Sequence, residues 1–285
     1  MKDRNLGWKL IFKLGIGSLS VISAVIALNK IELGSRFARN LWSGEINWHR
    51  LTTAIAQELA SSEISTEVSS SSEIYQLLKS STVRVVKTDS AGSGVIINRE
   101  GSTYSVLTNW HVVDSNNPLI LTVDDQQHQL VEPPQQIKNA DLALLRFHSE
   151  VDYSTAKIET QLPQIGDTVY AAGFPLAIDE IENSLELGNE AFRLIQGEVS
   201  IVPAKSLPQG YQLGYTNETE VGMSGSPIFN AEGSLVGIHG RGKYRDPNFG
   251  VYIFEDGSEP PQEELEQMIK SSWGIPISVY SELAN

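Results

Sequence analysis

The chain has no cysteine among its 285 residues, which excludes disulfides, a thiolate nucleophile and a cysteine-ligated metal. Basic residues are also scarce. Against 35 Asp and Glu there are 21 Lys and Arg, a formal net charge of -14, and such a surface repels phosphate backbones, so nucleic acid is excluded as a partner. No His or carboxylate cluster shows metal-ligand spacing, and neither a metal nor another cofactor is expected. Any nucleophile must therefore be a hydroxyl, an amine or a carboxylate. What is present in quantity is apolar residue, 40% of the chain, enough for the core of one large domain or two small ones.

Long hydrophobic runs are rare too, and the chief one is N-terminal. Lys2, Arg4, Lys9 and Lys13 precede an uncharged apolar run from Leu14 to Leu28, which Lys30 ends. The run falls short of the roughly 20 residues of a membrane-spanning helix and sits at the long end for the core of a signal peptide. Either reading exports the protein. The small-residue site at Ala27 is weak and the better one, Ala54-Ile55-Ala56, lies too far downstream, which favours an uncleaved anchor with a cytoplasmic N-terminus. Residues 1–30 thus read as a hydrophobic helix, signal peptide or membrane anchor, that places the rest outside the cytoplasm, periplasmic or extracellular. Residues 31–73 read as a flexible linker, because SSEISTEVSSSSE over Ser61–Glu73 is too polar to bury a core.

From about Ile74 the texture changes. TVRVV, SGVII, YSVLT, PLILTV and LALLRF are short β-branched runs separated by Gly, Asn, Asp and Pro, and a second set follows in DTVYAAGF, FRLIQGEVSIV, YQLGYT, GSPIF, SLVGIHG and GVYIF. This spacing predicts an all-β domain over 74–285 with two units, about 80–155 and about 164–255. The tail EPPQEELEQMIKSSWG carries Pro-initiated, Glu-rich helical periodicity before a late Gly, which predicts one C-terminal helix over about 259–272.

Three segments carry chemistry: VLTNWHVV around His111, NADLALLRF around Asp141 and GMSGSPIF around Ser224. A serine hydroxyl is a poor nucleophile at neutral pH and needs an adjacent base, which in turn needs an orienting group. His111 would take the Ser224 proton and return it to the leaving amine, while Asp141 would hold the imidazole tautomer and stabilise the imidazolium. The backbone N–H groups of Gly222 and Ser224 would converge on the developing oxyanion. Other residues compete poorly. His49 precedes the linker, His128 and His148 lie in polar or edge positions, Asp124 and Asp125 belong to a DDQQ turn, and Asp114 follows His111 too closely.

Together these segments resemble the signatures of the chymotrypsin-like serine proteases, T-x-x-H, D-[IL]-A-[LV]-L and G-x-S-G-[GS]-P, over about residues 80–255. The resemblance implies two six-stranded antiparallel β-barrels with the active site between them, His111 and Asp141 on the first, and polypeptides as substrates. Met223 stands where trypsin has an Asp that pairs with a newly released N-terminus. A thioether cannot anchor an ammonium group, so activation through that ion pair is unavailable.

Beyond Ser224, GMSGSPIFNAEGSLVGIHGRG is similar to the bacterial glutamyl endopeptidases, in which a strand His and a hydroxyl residue bind an acidic side chain. His239 and Thr219 occupy those places, which implies cleavage after Glu or Asp. The segment matching Gly240-Arg241-Gly242 pairs in that family with the substrate backbone, so Arg241 points over the cleft. A competing reading is a protease-fold module that binds peptides with weak or no turnover, favoured by Met223 and by the bulky Trp110 beside His111. A quality-control protease with an appended peptide-binding domain is not expected, since about thirty residues follow Phe254 and a domain takes roughly fifty or more.

Overall fold

The computed structural model describes residues 72–87, 90–113, 118–177 and 184–282. The expected N-terminal helix and nearly all of the expected linker fall outside them. Among the described residues no helix is long and apolar enough to cross a membrane.

Helix α1 (72–81) turns its Leu78 into the core and sets Tyr75 edge-on against Phe192 at 5.2 Å. Thr82 Oγ1 donates to Leu78 O at 2.7 Å, which satisfies an end carbonyl of the helix as the chain enters the first strand. That strand opens an antiparallel sheet of β1 (Thr82–Val86), β2 (Ala91–Glu100), β3 (Thr103–Thr108), β4 (Leu119–Leu121), β5 (Gln127–Gln129), β6 (Gln135–Gln136) and β7 (Ala143–His148), in the order β5-β4-β1-β2-β3-β7-β6. A four-residue helix, α2 (Trp110–Val113), follows β3.

A closed six-stranded first barrel was expected, and the sheet differs from it. It has seven strands, and the residues after β5 reach β7 through the single Leu130–Phe147 bridge and the Val131 N–H to Arg146 carbonyl bond rather than a full ladder. The reason is local. Pro133 and Pro134 lie immediately before β6 and offer no N–H donors, so no ladder can extend through them.

The second unit is a closed six-stranded barrel, β10-β13-β12-β11-β8-β9, made of β8 (Thr168–Gly173), β9 (Arg193–Ile201), β10 (Leu213–Tyr215), β11 (Pro227–Asn230), β12 (Leu235–Arg241) and β13 (Ser272–Pro276). Its last strand corrects the expectation for the tail. GVYIF is not a strand but a succession of turns, in which Ile253 N–H donates to Gly250 O and Gly257 N–H to Phe254 O. The C-terminal helix, α3 (Gln262–Ile269), stops short of 272, and SWGIP closes the barrel before a short α4 (Ile277–Ser281). Gly274, read as a helix stop, lies opposite His239 in the sheet. Burial of Trp273 explains the outcome: its ring is 1% exposed and its indole N–H donates to Met268 O at 3.0 Å, a gain no helical extension into solvent matches.

Val83, Val85, Ile96, Val106 and Phe147 fill the first sheet, while Val169, Val199, Leu213, Ile228 and Val236 fill the second. A larger cluster belongs to both, combining Leu107 and Leu142 with Phe229, Ile238 and Trp273. The two β units therefore share a core, and the loops that carry the chemical motifs leave from its edge. Trp273→Ala should lower unfolding stability by about 3–5 kcal/mol, read from the urea midpoint. A loss under about 1 kcal/mol would show that β13 does not close the barrel core.

Candidate active site

α2 begins just after β3, and His111 occupies its first turn. A helix start leaves N–H groups without intrahelical partners. Asp141 supplies a partner from just before the adjacent strand β7, whose Ala143 lies opposite Thr108: its Oδ1 accepts the His111 backbone N–H at 2.9 Å, and its Oδ2 lies 2.6 Å from His111 Nδ1. The carboxylate is thus engaged by the same residue through backbone and ring. Asp141 is 3% exposed. Burial by itself pushes its carboxyl up, but the His111 ring bond and charge, the Tyr211 hydroxyl and the His111 N–H together outweigh it and hold the group below the usual carboxylate range.

Ser224 sits in the loop that leads into β11. Met223 N–H donates to Glu220 O at 3.0 Å, closing a turn in which Gly222 has φ 97°. Only glycine tolerates the third position of such a turn, and a side chain there would meet Leu176 N at 2.5 Å. Among the described residues nothing accepts the N–H of Gly222 or of Ser224, and neither Ser224 Oγ nor His111 Nε2 has a hydrogen-bond partner. Met223 is fully buried, consistent with a thioether filling an apolar gap.

Two side chains that the sequence did not single out bind these segments together. Asn109, buried two places before His111, donates through Nδ2 to Asp141 O at 2.9 Å and accepts the Gly225 N–H on Oδ1 at 2.7 Å. One amide therefore joins the His111, Asp141 and Ser224 segments. Ser93 of β2 donates its N–H to Ser224 O at 2.8 Å and its hydroxyl to Gly222 O at 3.2 Å, and it accepts the Phe174 N–H at 2.9 Å. Asn109 was visible only as a polar residue inside TNWH. Ser93 looked like an ordinary small residue of a strand.

His239, on β12, is 2% exposed, with its Nδ1 2.5 Å from the Tyr215 hydroxyl. Burial first, then repulsion by His111 and Arg245, lowers its pKa to about 3, so the imidazole is neutral. Thr219 Oγ1 lies 3.3 Å from Ser272 Oγ and 3.9 Å from where a side chain on Gly242 would start. Ser272 is opposite Tyr215 in the sheet, so Thr219 and His239 are connected through that pair rather than by direct contact. Arg241 turns away from His239: its guanidinium lies 3.8 Å above the Tyr211 ring, and Nη2 donates to Gln209 Oε1 at 3.0 Å. Gly240 is the extra residue of a bulge between His239 and Arg241. Among the described residues no group of His, Asp and Glu could hold a metal ion.

Comparison with known proteins gives the family and the fold. A family model described as a trypsin-like peptidase domain matches residues 92–238. A probable periplasmic serine endoprotease, DegP-like, from Pseudomonas savastanoi pv. phaseolicola is 27% identical over 204 residues, 70% of this chain and 35% of that protein. The serine protease Do-like HtrA of Bacillus subtilis is 25% identical over 193 residues, 61% of this chain and 39% of the relative. The chain thus spans well under half the length of these relatives. Among solved structures, an inactive-form mutant of Rv3671c from M. tuberculosis H37Rv aligns with a TM-score of 0.51 at 15% identity, covering 74% of this chain and 88% of the other, a likeness of fold.

The buried imidazole of His239 makes a prediction about acid stability. Unfolded, it titrates near the ordinary imidazole value of 6.5; folded, at about 3. Between those values the unfolded chain binds a proton that the native state refuses, so stability falls as pH drops from about 6.5 towards about 3. His239→Gln should lose less stability than the parent between about pH 7 and about pH 5 in urea titrations. Equal losses would mean that the ring is not buried neutral.

Proposed function

The chain belongs to the trypsin-like peptidase family, and we propose that it is a serine endopeptidase in which Ser224, His111 and Asp141 form the catalytic triad. The carrying observation is the His111–Asp141 pair, held at 2.6 Å on a buried carboxylate. Asn109 ties that pair to the residue after Ser224. Ser224 Oγ attacks the scissile carbonyl as His111 Nε2 takes its proton; the imidazolium, stabilised by Asp141, returns that proton to the departing amine. Water then enters by the same route and hydrolyses the acyl-enzyme. The free N–H groups of Gly222 and Ser224 donate to the oxyanion in both halves, each contributing on the order of 3 kcal/mol to the transition state.

An acid-binding pocket remains the finer part of the reading. In this reading the Tyr215 hydroxyl donates to Nδ1, His239 keeps its hydrogen on Nε2, and that neutral donor and the Thr219 hydroxyl together recognise a carboxylate by hydrogen bonds rather than by charge. Uncharged isosteres would leave these donors unpaired, so cleavage follows Glu or Asp. Gly240, Arg241 and Gly242 would line the path of the substrate backbone beside that pocket. Relatives named as periplasmic, together with the basic and apolar N-terminus, support an extracytoplasmic location, with residues 14–28 as anchor if they are retained.

Turnover of a peptide library varied at the residue before the scissile bond tests both parts. Ser224→Ala should lower kcat by about 10⁴-fold or more, and His239→Ala should reduce the preference for Glu by about tenfold or more while sparing other substrates. Equal, negligible turnover by parent and Ser224→Ala would leave a peptide-binding module instead of an enzyme. Glu preference unchanged in His239→Ala would remove the pocket alone.

A further inference from the structure

Asp141 belongs to the first sheet, yet the second barrel grips it by backbone and side chain. Its N–H donates to Gln209 O at 3.0 Å, and the Tyr211 hydroxyl donates to Oδ2 at 2.5 Å, the same oxygen that faces His111 Nδ1. A carboxylate oxygen has two lone-pair sites, so these two donors saturate Oδ2, while the His111 N–H engages Oδ1.

Several unusual features converge on that one hydroxyl. The Tyr211 ring is fully buried, and Arg241 lies over its face, held in turn by Gln209 Oε1 and by Pro208 O at 3.3 Å. Gln209 adopts φ 71°, a conformation that a side-chain-bearing residue takes at a cost. On β12, a side chain at Gly240 would begin 2.1 Å from the Tyr211 hydroxyl oxygen, so the bulge there leaves a vacancy the hydroxyl fills.

We infer that Tyr211 is a positioning residue for the catalytic pair: its hydroxyl fixes Asp141 Oδ2 against His111 and restrains the basicity of that oxygen, with 207–211 as the bracket and Gly240 as the space it requires. The inference rests on reading Asp141 as the catalytic acid. Tyr211 stays a donor at working pH, because burial, then the charge and hydrogen bond of Asp141, push its hydroxyl well above the usual phenol range. The ionisable groups around the pair are His111 from α2, Tyr215 from β10, Arg241 and His239 from β12, and Arg245 from the loop beyond. None of them except His111 hydrogen-bonds Asp141, so the loss of the Tyr211 hydroxyl has no ready substitute.

Tyr211→Phe keeps the ring and deletes the donor. Oδ2 then turns its whole electron density on the imidazole, which favours the protonated ring. The acid limb of kcat/KM should move to higher pH, and kcat should fall by about tenfold with KM unchanged. The Nδ1 proton resonance of His111 should move as well. In the parent background Gly240→Ala would set its Cβ 2.1 Å from the hydroxyl oxygen and 2.9 Å from two carbons of the ring, so it should displace the ring, lower the melting temperature and move the same resonance. A kcat and pH limb identical to the parent would overturn the inference. So would a fall in kcat in a folded Tyr211→Phe with the pH limb and the Nδ1 resonance both unmoved, the result a merely structural role predicts. If parent turnover survives Ser224→Ala, the triad reading fails on its own. The Nδ1 resonance still judges the Tyr211 bracket in that case, an unchanged position in Tyr211→Phe counting against it.

Discussion

The burial of the Asp141 carboxylate is the constraint around which the rest is arranged. A charge removed from water is costly unless hydrogen-bond donors replace the lost hydration. Among the described residues no Lys or Arg pairs with Asp141, and the replacement comes from the His111 N–H, the His111 ring and the Tyr211 hydroxyl. Those donors outweigh the desolvation and keep the group ionised. A carboxylate satisfied in this way orients the imidazole without being free to move, which is the condition a general base requires.

That constraint also explains why two β units must share one core. Gln209 and Tyr211 reach Asp141 from the second barrel, while Ser93 and Asn109 reach the Ser224 loop from the first. Each unit therefore completes the chemistry carried by the other. The shared cluster of Leu107, Leu142, Phe229, Ile238 and Trp273 fixes the distance across which these bonds are made, and close packing leaves little room for that distance to drift. Arg84 shows the same economy away from the site: buried in β1, it spans to Ser184 O at 2.9 Å and Ser184 Oγ at 2.7 Å in the second unit.

Short-range pattern made much of this legible. Ten of the eleven apolar runs lie in strands because alternating β-branched residues suit a half-buried pleat wherever they occur. GVYIF misled for the same reason that the others informed: its composition suits a strand, but the place in the barrel was taken by SWGIP, whose Trp273 buries far more surface. The first sheet departed from a closed six-stranded barrel where Pro133 and Pro134 limited pairing, a signal that was present in the residues but whose consequence depends on which strand lies alongside.

His111, Asp141 and Ser224, with Gly222 beside them, were determined as candidates by the sequence alone, because nucleophilic chemistry demands particular functional groups in particular local contexts. Thr219 and His239 were legible only through resemblance. Asn109, Tyr211 and the vacancy at Gly240 were decided by the tertiary structure. Their significance lies in hydrogen bonds between residues 32, 70 and 116 positions apart, and no local pattern encodes which donor will meet a buried charge from the other side of a core.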